Sequence, residues 1–282
     1  MEIFEQPHDM REWSRFQIAS TLSIGLVPTM GALHDGHRRL IETAQQDCDR
    51  VIVSIFVNQL QFNNQQDYEK YPRLIDADMQ ICKEIGVDAL YTPSHAIVYP
   101  PGFETHITPG ATAAPMEGVF REGHFAGVVT VVNKLLNATR PDRAYFGAKD
   151  FQQLAVIKRM VLDFDLSVAV VPVATVRQPD GLALSSRNTR LTSQQRVAAC
   201  VIYRGLKAAR HAYMQGEGSS VALISLTSDI YASCPEARVE YIEIFDPVTM
   251  RPLQDISKKN AVMAVAIWFG DIRLIDNIEI TP

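Results

Sequence analysis

The first two-thirds of this chain follow a rhythm that leaves few folds open. Short, unbroken apolar runs alternate with longer segments of helical period. LSIGLV (22–27), RVIVSIFV (50–57), DALYT (88–92), DRAYFG (142–147) and SVAVVPV (167–173) are the apolar runs. RRLIETAQQ (38–46), LIDADMQICKEIG (74–86) and a stretch from about 150 to 163 are the helical ones. A strand without polar alternation is buried on both faces, and strands separated by helices pair in parallel. The pattern predicts an α/β fold: a parallel sheet with helices on both faces.

FAGVVTVVNKLLNAT (125–139) tests that reading, because its valines favour a strand by propensity. Val128, Val131, Val132, Leu135 and Leu136 fall at i, i+3, i+4, i+7 and i+8, and the run is too long for an ordinary strand. A helix is predicted. From about 175 the texture changes to a polar, glycine-containing stretch. Helices over 193–214 and about 219–231 follow, then strands over 238–246, 261–270 and 272–280. Helices followed by strands predict a smaller C-terminal α+β domain, dividing the chain into 1–175 and 176–282.

Composition excludes several classes. Hydrophobic residues make up 47% and charged residues 21%, as expected of a chain that buries a core. A net charge of −5 argues against a nucleic-acid coat, although it leaves room for a local basic pocket. Cys48, Cys82, Cys200 and Cys234 are widely spaced, so neither a zinc site nor a redox pair is expected. No apolar run approaches the ~20 residues that span a bilayer, and the N-terminus lacks a signal-peptide pattern. A cytoplasmic protein without membrane association is expected.

Four segments carry candidate chemistry. PTMGALHDGH (28–37) lies between the first strand and the first long helix, where unpaired helix amides suit phosphate. His34 and His37, three apart, share a helical face and can donate to phosphate oxygens. The Gly31-to-Gly36 spacing matches a P-loop, but His37-Arg38 stands where Lys-Ser/Thr belongs. A metal pair lacks an evident third ligand nearby. A plain turn would explain the glycines but not both histidines.

AYFGAKDFQQL (144–154) again joins strand to helix, placing Lys149, Asp150 and Gln153 at the carboxyl edge of the sheet. Lys149 suits phosphate and Asp150 suits ribose, yet an N-capping aspartate before a solvated face explains the segment by itself. RQPDGLALSSRNTRL (177–191) offers Ser185, Ser186 and Arg187 in a mobile cationic loop, or else a linker with Asn188 capping a turn. FVNQLQF (56–62) places Asn58 and Gln61 after a buried strand, facing a cleft or forming a polar exit loop.

Together these segments resemble the pantothenate synthetases, or pantoate–β-alanine ligases, with order and spacing kept from residue 20 to the C-terminal domain. PTMGALHDGH is similar to that family's version of the HIGH motif of nucleotidylyltransferases, and LSSRN to its KMSKS loop. YPR (71–73), EGHFAGVVTVVNKLLN (122–137), RPDRAYFG (140–147) and KDFQQL (149–154) also resemble the family.

The resemblance implies a Rossmann-like domain, a smaller C-terminal lid and a homodimer. It implies ATP contacts from Met30, Gly31, Ala32, Leu33, His34, Asp35, Gly36 and His37, with His37 the proton donor. Gly147, Ala148, Lys149, Asp150, Val176, Leu184, Ser185, Ser186 and Arg187 complete the implied nucleotide site. Gln61 and Gln153 match the glutamines that hold pantoate, and Asn58 a neighbouring position. Ala148 stands where many members have glutamate, Gln59 replaces a frequent proline, and Arg38 and Arg39 are unusually basic.

The expected reaction is ATP-dependent condensation of pantoate with β-alanine through a pantoyl-adenylate, releasing AMP and pyrophosphate. Mg²⁺ is expected with ATP and no tightly bound protein metal. His34, His37, Lys149 and Arg187 are the residues expected to stabilise charge. A nucleotidylyltransferase acting on a phosphorylated precursor would need a further basic site, whereas Gln61 and Gln153 suit a neutral hydroxy acid. A tRNA-binding relative would need an added basic surface.

Overall fold

The computed structural model describes residues 1–281. The chain falls into two compact units: Met1–Ala148 with Val156–Ala174, and Lys149–Ala155 with the chain from Thr175 onward.

The first unit begins with strand β1 (Glu2–Phe4) and helix α1 (Pro7–Ala19). It continues through β2 (Ile24–Thr29), α2 (Asp35–Asp47) and β3 (Arg50–Ile55). Short α3 (Gln65–Glu69), α4 (Ile75–Ile85), β4 (Ala89–Tyr91) and short α5 (His95–Val98) follow. Short α6 (Glu117–Phe120), α7 (His124–Thr139), β5 (Arg143–Gly147), α8 (Phe151–Asp163) and β6 (Ala169–Val173) complete the α/β run. Strand order is β1-β4-β3-β2-β5-β6, with every pairing parallel.

Val51 to Ile55 are all buried although alternate side chains point to opposite faces, so both faces of the central sheet are covered. The helical period in 125–139 prevails over strand propensity: Val128, Val131, Val132, Leu135 and Leu136 are all buried on α7. Gly86, in the left-handed conformation, ends α4 as its pattern predicts. Chain order reverses at β2. The chain runs outward through β3 and β4, then returns to place β5 on the other side of β2. The carboxyl ends of β2 and β5 therefore lie beside one another, at the switch point where open α/β sheets bind ligands.

The second unit holds α9 (Ser193–Ala198), α10 (Val201–Met214), α11 (Ser220–Ala232) and strands β7 (Ala237–Phe245), β8 (Ala261–Phe269) and β9 (Ile272–Ile280). The strands form an antiparallel sheet in that order. Its core gathers Ile202, Leu206, Leu223, Tyr231, Val265 and Phe269.

Two expectations need adjusting. The single helix expected over 193–214 is two. At the break Cys200 N–H donates to Val197 O at 3.3 Å and Ile202 N–H to Ala199 O at 3.1 Å. Cys200 Sγ takes the Arg196 carbonyl that an α-helical amide would use. Residues 149–155, expected with the first domain, pack with the second unit. Asn277 Nδ2 donates to Lys149 O at 2.8 Å, and Phe151 meets Phe245 with ring centroids 5.9 Å apart.

Candidate active site

The loop between β2 and α2 is the most constrained turn of the first unit. Thr29 Oγ1 donates to Ser54 O on β3 and accepts the Gly31 amide at 3.1 Å, fixing the exit from β2. Gly31 (φ +80°) and Ala32 (φ +52°) then both adopt left-handed backbone, a strained choice for alanine. What holds them is Asp78, a buried carboxylate on α4. Its Oδ2 accepts the Ala32 amide and its Oδ1 the Leu33 amide, each at 2.8 Å. A Cβ at Gly31 would stand 2.8 Å from Asp78 Oδ2, so both its conformation and its neighbour require glycine there.

His34 is the N-cap of α2: its Nδ1 accepts the Gly36 amide at 3.0 Å, while His37 Nδ1 accepts the His34 amide at 3.3 Å. A ring nitrogen that accepts carries no proton, so each neutral imidazole bears its hydrogen on Nε2. The rings lie 4.1 Å apart, centroid to centroid. Loss of hydration, and then the neighbouring His34, push the His37 pKa down to about 3. At neutral pH His37 is thus an uncharged Nε2–H donor at a helix N-terminus, where the helix dipole favours an anion. Asp35 and Gly36 form the first turn of the same helix.

Gln61 and Asn58 lie in the turn after β3. Asn58, 1% exposed, spends its amide inside the protein. Nδ2 donates to Gln61 Oε1 (3.1 Å) and to Gly127 O (3.0 Å), and Oδ1 accepts from Tyr99 Oη (2.8 Å). Gln61 Nε2 points at Met30 Sδ, 3.1 Å away, which ties this turn to the β2 loop. Asn58 lies in the loop leaving β3, and its buried amide supports Gln61 from within the protein.

Lys149 and Asp150, the first residues of the second unit's 149–155 segment, belong to a 3₁₀ turn, and Gln153 follows one turn later on α8. Gly147 is the last residue of β5. Val176 and Leu184 face each other across a narrow hairpin, where Leu184 N–H donates to Val176 O at 2.9 Å. Ser185 Oγ accepts the Arg187 amide at 3.2 Å, and Asn188 Nδ2 donates to Ala183 O. At the hairpin base Arg177 makes a bidentate pair with Asp276 (2.6 and 3.0 Å) and stacks on Tyr203. The segment expected to be a mobile loop is internally tied.

Sequence reasoning missed Asp78, Tyr99, Glu117, Arg121 and His124. The signal for Asp78 was available: it shares the buried stripe of α4 with Cys82, four residues on, where an apolar residue belongs. Among the described residues no three His, Cys, Asp or Glu gather as a metal site, and no helix is long and apolar enough to cross a membrane.

Comparison with known proteins agrees with the geometry. A family model described as pantoate-beta-alanine ligase matches residues 2–279. Pantothenate synthetase of Chloroflexus aurantiacus is 44% identical over 270 residues, 96% of each chain, and that of Rhodopirellula baltica 44% identical over 99% of each. The crystal structure of pantothenate synthetase from Thermus thermophilus superposes with a TM-score of 0.93 at 42% identity, covering 100% of both chains. The Francisella tularensis pantoate-beta-alanine ligase, complexed with beta-gamma ATP and beta-alanine, has a TM-score of 0.80 at 37% identity, covering 99% of this chain and 97% of that one. A two-part architecture, a helix-capping histidine pair and near-complete coverage by these relatives place the chain in the pantoate–β-alanine ligase family.

Proposed function

We propose that this protein condenses pantoate with β-alanine through a pantoyl-adenylate, with the histidine pair of α2 receiving the ATP phosphates. The observation that carries the phosphate assignment is the capping arrangement: both Nδ1 atoms accept main-chain amides, which commits both Nε2–H groups to donation. A carboxylate is a poor acyl donor because its leaving group would be oxide. Its oxygen therefore attacks the α-phosphorus in line and pyrophosphate departs. The β-alanine amine then attacks the acyl carbon and AMP leaves, carrying the former carboxylate oxygen.

His34 and His37 stabilise charge growing on the phosphates by donating from Nε2–H, with the His37 hydrogen directed to the departing group. Lys149 and Arg187 supply positive charge, and Ser185 and Ser186 supply hydroxyl donors. Met30 through His37, Gly147, Ala148, Asp150, Val176 and Leu184 complete the nucleotide contacts. Gln61 and Gln153 bind pantoate through neutral amides, which leaves its carboxylate nucleophilic, and Asn58 holds Gln61. Mg²⁺ accompanying ATP would supply neutralisation of phosphate charge. Residues 1–175, apart from the 149–155 segment that groups with the second unit, serve as the nucleotidylyltransferase domain and 176–282 as the smaller domain of a cytoplasmic homodimer.

Purified protein given ATP, pantoate and β-alanine should yield pantothenate, AMP and pyrophosphate in equal amounts. Omitting β-alanine should leave pantoate-dependent exchange of pyrophosphate into ATP. Release of ADP, or exchange independent of pantoate, would refute the reading.

A further inference from the structure

Gln61 sits in a three-residue 3₁₀ turn (Gln59–Gln61) with little to hold it from within. The turn makes two main-chain bonds, Gln61 N–H to Asn58 O at 3.3 Å and Phe62 N–H to Gln59 O at 3.1 Å. Such a turn frays unless its surroundings fix it. The surroundings that fix it are polar, and two of their donors meet at one carbonyl oxygen.

His124 Nδ1 donates to the Gln61 carbonyl at 2.8 Å, and Arg121 Nη2 donates to the same oxygen at 3.3 Å. Arg121 Nη1 donates to His124 Nε2 at 3.2 Å and lies 3.5 Å from Glu117 Oε2. His124 and Glu117 are buried. The two bonds fix the ring tautomer: Nδ1 carries the proton and Nε2 accepts, so His124 is neutral while the guanidinium bears the charge. Gly127, one helical turn beyond His124, completes the clamp. A Cβ there would fall 2.4 Å from Leu60 O and 2.7 Å from Gln61 N, so α7 presses directly on the turn.

Withdrawing a carboxylate, an imidazole and most of a guanidinium (the Arg121 side chain is 18% exposed) from water costs more than an apolar filling of the same space would, so packing alone does not explain the cluster. We infer that Arg121 and His124 are positioning residues which lock the Gln61 main chain and thereby set affinity for the hydroxy-acid substrate. The inference rests on the proposed reading of Gln61 as a substrate contact. Neither residue need touch substrate. Fixing the carbonyl of a three-residue turn fixes where its side-chain amide projects, and a loosened amide loses affinity by having to be reordered on binding.

The test compares His124→Phe, His124→Asn and Arg121→Met, each alone and combined with Gln61→Ala. His124→Phe keeps the ring and removes both hydrogen bonds. His124→Asn keeps a donor near the Nδ1 position. Arg121→Met removes the second donor to Gln61 O. His124→Phe should raise the pantoate KM about tenfold and Arg121→Met about fivefold, with ATP KM within about twofold. His124→Asn should stay within about threefold of the parent. In the Gln61→Ala background neither His124→Phe nor Arg121→Met should add a further effect, because both act through Gln61. If His124→Phe does not fold, Arg121→Met carries the same comparison. Two results overturn the inference: pantoate KM unchanged in both variants while Gln61→Ala raises it, or full additivity with Gln61→Ala. If Gln61→Ala itself leaves pantoate KM unchanged, the substrate role of Gln61 falls, and the inference with it.

Discussion

Asp78→Asn isolates the anchor of the β2–α2 loop. The side chain is 2% exposed, and each oxygen accepts one main-chain amide at 2.8 Å, from Ala32 and Leu33. Asparagine preserves shape and one acceptor but sets an NH₂ group against the other amide. A hydrogen bond to a charged group contributes about 1.5–3 kcal/mol, and losing the acceptor also leaves a donor facing a donor. Water reaches the half-buried amides and recovers part of this, while relaxation of Ala32 from φ +52° returns about 1 kcal/mol. The net expectation is about 2 kcal/mol of destabilisation, a fall of about 4–8 °C in Tm. Because the same amides lead into His34, ATP KM should rise roughly tenfold, with pantoate KM nearly unchanged. Differential scanning calorimetry and steady-state kinetics measure both quantities. A Tm within about 1 °C of the parent, with normal ATP KM, would show that the loop holds its shape without the carboxylate.

His37 should titrate near pH 3 in the free protein by NMR and move upward when an ATP analogue binds; a midpoint near 6.5 without ligand would contradict its desolvated site. The sign for stability follows: the unfolded chain binds a proton that the folded chain refuses, so stability attributable to His37 falls as pH drops from about 6.5 to about 3 and is constant above. Gln61→Ala and Gln153→Ala should each cost about 1.5–3 kcal/mol in kcat/KM for pantoate and leave ATP binding almost unchanged, and equal weakening of both substrates would displace the pocket. Chelation should abolish turnover, excess Mg²⁺ should restore it, and light scattering should find a dimer. Turnover in chelator, or an active monomer at low micromolar concentration, would remove the corresponding proposal.

Local periodicity carried most of the fold because burial is written directly into spacing. The valines of α7 show this best: five apolar positions at helical intervals outweighed strand propensity. β1 and α1 were missed because Glu2–Phe4 is three residues long and the buried face of α1 includes Ser14 and Gln17, which no apolar count detects. Motif residues at strand ends were legible because a strand-to-helix turn has a fixed use for glycine and for phosphate-facing amides. Their supports were not. Asp78 lies 46 residues beyond Ala32, and His124 lies 63 beyond Gln61, so only the folded chain brings each pair together. Asn58 was identified as a site residue, but its complete internal hydrogen bonding depends on Tyr99 and Gly127, which local sequence does not connect to it.

Oxygen transfer between substrates tests the central claim most directly. Pantoate labelled with ¹⁸O in its carboxylate should deliver one labelled oxygen to each AMP, because the oxygen that bridges carbon and phosphorus in the adenylate leaves with the phosphate, and should retain the other in the pantothenate amide carbonyl. Label in pyrophosphate, or AMP free of label alongside pantothenate formation, would contradict acyl-adenylate chemistry for this protein.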